Sequence, residues 1–205
     1  MPQGVKSIDN SAFENCANLS ELTLPDTLTA LGDSAFQNCA SLKYIKIPKS
    51  LIDWGTKVFF NSAIETVDFE EGIEKIGNAA FAYTDIRRVI LPKSVRKISS
   101  HAFVGCINLE SVTLNEGLIT IEDSAFGLKS KLTEIVIPAS VTELNELTFT
   151  RCDTLQSVKF EGNAPDHYQY EGPKYIEDIS YTIYYHEGAI GFTSPEWCGY
   201  PAEIW

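Results

Sequence analysis

Seven phenylalanines divide this chain at an almost fixed interval: Phe13, Phe36, Phe59, Phe81, Phe103, Phe126 and Phe149, spaced 23, 23, 22, 22, 23 and 23 residues apart. A period in that range is the mark of a repeat array, in which each unit is one coil that cannot bury its apolar face alone. Such arrays are scaffolds, so the period constrains the fold far more than the function.

Aligning the units on Phe brings out the other columns. An aliphatic residue opens a strand six positions later, at Leu19, Leu42, Leu109, Leu132 and Leu155, or five positions later at Ile64 and Ile86. The strand reads apolar-x-x-apolar-x-apolar, as in Leu19-Ser-Glu-Leu22-Thr-Leu24 and Leu132-Thr-Glu-Ile135-Val-Ile137. Alternation sends the apolar residues inward and the intervening ones outward. Pro25, Pro48, Pro92 and Pro138 follow, and their missing amide ends the strand. A second apolar pair comes next, for example Val95/Ile98, then a small residue such as Ala35, Ala80, Ala102 or Ala125 before the next Phe. Gly32, Gly55 and Gly77 follow the second pair and are read as turn residues. Stacked at ~4.8 Å per strand, seven coils make a rod roughly 35 Å long in which each Phe sits on its neighbour.

The unit Ala12-Phe13-Glu-Asn-Cys16-Ala-Asn-Leu19-Ser-Glu-Leu22-Thr-Leu24-Pro25 resembles the BspA-like, or treponemal-type, leucine-rich repeat family, as does Ala102-Phe103-Val-Gly-Cys106-Ile-Asn-Leu109. The resemblance covers residues 2–160. It implies a right-handed leucine-rich repeat solenoid of short parallel β-strands and turns, about seven coils of 22–23 residues. It also implies a secreted or cell-surface setting, and adhesion to a protein or glycan on a host or neighbouring cell.

Two segments are expected: residues 1–160 as the solenoid and 161–205 as an aromatic, acidic C-terminal cap. The second holds eight acidic residues against one Lys, −7 of the chain's net −12, and 10 of its 23 aromatics. Tyr168, Tyr170, Tyr175, Tyr181, Tyr184 and Tyr185 fall within eighteen residues of it. Residues 180–185 have the β-branched and aromatic content of a strand, expected beside Val158–Phe160, with Trp197 and Trp205 covering the final coil. A ligand pocket in this segment is the alternative. At the other end the chain begins in mid-unit at Pro2, which suggests a piece of a longer protein. No apolar run is long enough to span a membrane.

Signals for chemistry are sparse. Cys16, Cys39, Cys106 and Cys152 share one column that continues as Ser62, Thr84 and Lys129. Cys106 and Cys152 lie two coils apart, about 10 Å by strand spacing, beyond the ~7 Å reach of a disulfide. The column is therefore read as small side chains serving backbone groups at a turn, with Cys198 outside it. No Cys-x-x-Cys pair or histidine cluster suggests a metal, no cofactor is expected, and His101, His167 and His186 assemble into no triad. His101 stands where other units carry Ser, as an exposed substitution.

The outward strand positions form the expected concave face. One column reads Ser20, Lys43, Glu65, Arg87, Glu110; the middle one includes Tyr44 and Arg88; the last includes Lys46, Asp68 and Ile90. Lys43–Glu65–Arg87–Glu110 and Lys46–Asp68 alternate in sign, either as a self-satisfying charge ladder or as a mixed-charge docking surface. The candidate site is Lys43, Tyr44, Lys46, Glu65, Asp68, Arg87, Arg88, Ile90 and Glu110. A pI near 4.6 speaks against nucleic acid and anionic membrane as partners. The reading is a monomeric, non-catalytic binding scaffold. A passive spacer presenting another domain, or a hydrolase with its site in the cap, are the alternatives.

Overall fold

In the computed structural model, which describes residues 1–166 and 181–205, the chain winds into a solenoid of about eight turns. Its core is a run of stacked rings. Successive phenylalanines from Phe13 to Phe149 lie nearly parallel, with centroids 5.2–6.2 Å apart. Each Phe amide from Phe13 to Phe126 donates to a carbonyl of the following coil, as Phe36 N does to Val58 O at 2.8 Å. Stacking and hydrogen bonding thus advance together, one coil at a time. Ala35, Ala80, Ala102 and Ala125 are fully buried beside the rings.

The main ladder runs through Tyr44–Ile47, Thr66–Phe69, Arg88–Ile90, Ser111–Thr113, Glu134–Ile137 and Ser157–Phe160. Pairing is parallel and in the expected register, Tyr44 against Thr66 and Arg88 against Ser111. The second member of the second apolar pair closes a two-residue strand, and these strands, from Ser7–Ile8 to Glu143–Leu144, form a second ladder broken between Asp53–Trp54 and Lys75–Ile76. Two residues are too few for alternation to register in the sequence.

The main ladder is interrupted, and the interruptions follow the prolines. At two of the three coils that end the strand without proline, the amide at that position bonds back to the preceding coil. Glu70 N reaches Ile47 O at 3.1 Å, and Glu161 N reaches Ile137 O at 3.0 Å. Pro92 and Pro138 have no amide to offer Phe69 and Leu114. There the pairing stops: Thr66–Phe69 and Arg88–Ile90 belong to different sheets, and so do Ser111–Thr113 and Glu134–Ile137. Pro48 stands in the same relation to Leu24, and Leu19–Leu24, expected as a strand, enters no ladder.

Two further expectations are corrected in the turns. Gly32, Gly55 and Gly77 are not turn residues in the left-handed region. A Cβ on Gly32 or Gly55 would lie 2.4 or 2.3 Å from backbone of the preceding coil, and one on Gly77 would lie 2.6 Å from the Trp54 Cβ. They permit close approach between coils. The left-handed turns fall instead on Ser11, Ser34, Lys57, Ala79, His101 and Ser124 before each Phe, and on Asn15, Asn38, Asn61 and Tyr83 after it. His101 is half-exposed in that series. The cysteine column continues through Ser130, which is buried, and not Lys129, because Leu128 and Lys129 both take positive φ and add one residue to the turn.

Beyond residue 160 the ladder goes on. Thr182–Tyr185 pairs parallel with Ser157–Phe160, and Tyr200–Ile204 pairs parallel with Thr182–Tyr185. Phe149 meets Tyr181 edge-on, and Phe160 lies against Phe192 and Trp197. Trp205, expected over the last coil, is 47% exposed and stacks on His186 instead. Tyr168, Tyr170, Tyr175 and His167 lie outside the described residues.

Candidate binding face

The strands of the main ladder hold Tyr44, Lys46, Thr66, Asp68, Arg88 and Ile90 outward while Ile45, Ile47 and Val89 point into the core. Lys43, Glu65, Arg87 and Glu110 precede the strands on the same face, all at least partly exposed. Each sequence-derived candidate is therefore at the surface of the same ladder.

Their pairings differ from a simple ladder of signs. Lys43 Nζ meets Glu65 Oε1 at 2.8 Å. That hydrogen bond raises the lysine's pKa and lowers the carboxyl's. Lys46 does not pair with Asp68. It reaches on to Glu70 at 2.6 Å, and Asp68 accepts the Tyr44 hydroxyl at 2.8 Å. The physical reason is length: the short Asp68 side chain is taken by the diagonal tyrosine, while the long lysine spans to the next carboxylate. The Lys46 ammonium, and then the Lys49 amide, hold the Glu70 carboxyl below its ordinary pKa. The alternation also ends after Glu65. Arg87 and Glu110 stand on adjacent rungs, Glu110 N bonding Arg87 O at 2.9 Å, without an ion pair. Among the described residues, the guanidiniums of Arg87 and Arg88 form no hydrogen bond or ion pair.

A cleft of about 420 Å³ opens on this face where Pro92 interrupts the sheet. One wall is Glu65, Thr66 and Asp68; the other is Arg87, Arg88 and Ile90. Val67 and Phe69 form the floor. Phe69 is half-buried, edge-on to Phe81 at 5.7 Å, and Ile90 is 56% exposed. Val67 and Phe69 were not legible as site residues, since they follow the inward pattern. Lys43, Tyr44 and Lys46 flank the cleft on the preceding strand, and Glu110 lies beyond it.

A second hollow of about 480 Å³, on the other ladder, is acidic, with its carboxylates already engaged. Glu122 binds Lys97 at 2.5 Å and Ser100, and Glu143 accepts from Thr120. Among the described residues no cluster of three or more His, Cys, Asp or Glu is placed to hold a metal, and no helix is long and apolar enough to cross a membrane.

The profile of the BspA type Leucine rich repeat region, in six copies, matches residues 1–106 and 74–171. The chain belongs to the BspA-type leucine-rich repeat family. No curated protein matches the sequence. Among solved structures, a leucine-rich repeat protein from Bacteroides ovatus is similar over 100% of this chain and 54% of its own, with TM-score 0.74 and 22% identity. A leucine rich cell surface protein from Faecalibacterium prausnitzii is similar over 76% of this chain and 43% of its own, with TM-score 0.58 and 28% identity. A leucine-rich repeat protein from Eubacterium ventriosum is 18% identical over 92% of this chain and 59% of its own, with TM-score 0.54. This BspA-type chain thus spans about half the length of the solved relatives it matches.

Proposed function

We propose that this BspA-type chain is a non-catalytic binding module that works in a secreted or cell-surface protein and attaches to a partner on a neighbouring or host cell. The observation that carries the reading is the cleft at the sheet interruption. There two cationic side chains without ion pairs stand beside exposed apolar surface, on a face where Lys43 and Lys46 are paired with Glu65 and Glu70. Arginines next to an apolar contact are what interfaces favour at their centre. The surface setting is supported by the family and by the F. prausnitzii relative, a cell surface protein.

The test is a solid-phase screen of the purified chain against extracellular-matrix proteins and glycans, with an Arg87→Ala/Arg88→Ala/Ile90→Asp variant in parallel. Saturable binding that falls at least tenfold in the variant supports the reading. Absence of any saturable binding overturns it in favour of a passive spacer.

A further inference from the structure

We infer that the cleft between Thr66–Phe69 and Arg88–Ile90 accepts an acidic peptide segment, in which one carboxylate lies beside an aliphatic or aromatic side chain. The inference rests on the binding-module reading and adds the chemistry of the ligand.

Four features converge on it. Arg88 is exposed, and the residues level with it on the two adjacent rungs, Thr66 and Ser111, are neutral, so it has no directly opposed carboxylate. A guanidinium fork matches a carboxylate in two-point contact, and an unpaired one is the natural anchor for it. Arg87 adds a second fork on the same wall. Third, Val67, Phe69 and Ile90 supply an apolar floor and lip directly beside the forks, at a distance set by one strand. The opening of about 420 Å³ lies in the range of ligand sites, ~300–1,000 Å³.

The fourth feature is the opposite wall. Glu65 is paired with Lys43 and Asp68 accepts from Tyr44, so neither forms an ion pair with the arginines, although the Arg87 charge acts on Glu65 at a distance, and both keep oxygen atoms at the rim. An acidic wall facing a basic one selects a ligand with a single, localised negative charge and hydrogen-bond donors on its other side. A peptide has both, in a side-chain carboxylate and backbone N–H groups. A sulfated polysaccharide or a nucleic acid carries charge along its whole length and would be repelled by that wall and by the chain's net −12.

The experiment uses fluorescence anisotropy on the full chain. The probes are a labelled pool of acetylated pentapeptides Gly-X-Glu-Z-Gly, with X and Z drawn from Leu, Ile, Val and Phe, the matching Gln pool, and a heparin oligosaccharide. The Glu pool is expected to bind at least tenfold more tightly than the Gln pool. Arg88→Gln should remove that preference, Ile90→Asp should weaken both pools, and Lys131→Gln, remote from the cleft, should change nothing. Unaltered circular dichroism melts establish that each variant is folded. Equal binding of the two pools, a Glu preference that survives Arg88→Gln, or binding of heparin alone overturns the inference. Matrix-protein binding that persists in Arg88→Gln overturns the inference but leaves the binding-module reading intact. A chain that binds neither peptides, matrix proteins nor glycans removes both.

Discussion

In four coils a thiol or hydroxyl behind the phenylalanine ties the coil to the one before it, while Ser130 donates forward to Cys152 Sγ. Cys39 Sγ donates to Phe13 O, Ser62 Oγ to Phe36 O, Cys106 Sγ to Phe81 O and Cys152 Sγ to Phe126 O, at 2.7–3.3 Å. Thr84 departs from the series and bonds Phe81 O in its own coil. Burial pushes the Cys39, Cys106 and Cys152 thiols up to about 11. Because the neutral thiol is the favoured form in the fold, the thiols' contribution to stability is constant below the ordinary thiol pKa near 9 and falls as pH rises from there toward about 11. A series of urea midpoints between pH 8 and 11 should show that decline, and Cys106→Ser should flatten part of it. In the native protein the three buried thiols should resist a thiol reagent at pH 8, while exposed Cys198 reacts; labelling of Cys106 before Cys198 would contradict the burial. Phe81 is fully buried between two stacked rings, so Phe81→Ala should cost about 3–5 kcal/mol. Phe60, one position off the column and half-buried against Tyr83, should cost markedly less. Equal shifts in denaturant midpoint for the two would refute the assigned stacking.

At the level of the strand, both breaks in the main ladder coincide with a proline that lacks the amide for the preceding coil. Glu70→Pro should delete the Glu70–Ile47 bond and detach Tyr44–Ile47 from Thr66–Phe69, at a cost of about 0.5–1.5 kcal/mol for the bond alone. Pro92→Ala should do the converse, and hydrogen exchange at the new amide would report it: protection comparable to that of Glu70 means the sheet has closed, and rapid exchange means proline is not the cause. The prolines themselves were plain in the sequence, as were the phenylalanine stack and the outward columns. Their consequence for the sheet was not, because a proline silences a donor meant for the coil before it, some 23 residues away, and a strand pattern reads only its own residues. For the same reason Lys46 was expected on Asp68: the columns record which residues are adjacent, not that Tyr44 reaches Asp68 first. The cleft was legible as charged and apolar positions, and illegible as a cavity. The strand at residues 182–185 was visible from composition, whereas the outward Trp205 was not, since its stacking partner His186 carries no distinguishing pattern.

For the molecule as a whole, Phe149, Phe160 and Val158 are buried only because Tyr181, Ile183, Phe192 and Trp197 lie on them. Ending the chain after Asp166 should lay that end open and drive self-association. Light scattering would measure it, and a stable, monodisperse monomer would show that residues 181–205 do not serve as a cap. The offsets of the hydrogen bonds that join the coils carry a different implication. Asn38 to Asn15, Asn61 to Asn38, Thr29 to Lys6 and Thr120 to Glu143 all span 23 residues, and each bond reaches only an adjacent turn. A gene of this kind can therefore lengthen or shorten by entire units with the same contacts re-formed between adjacent turns, whereas a codon gained or lost inside a strand shifts its register unless a turn absorbs it, as the turn at Leu128–Lys129 does. The length of such a solenoid becomes a quantity that recombination adjusts in whole-number steps.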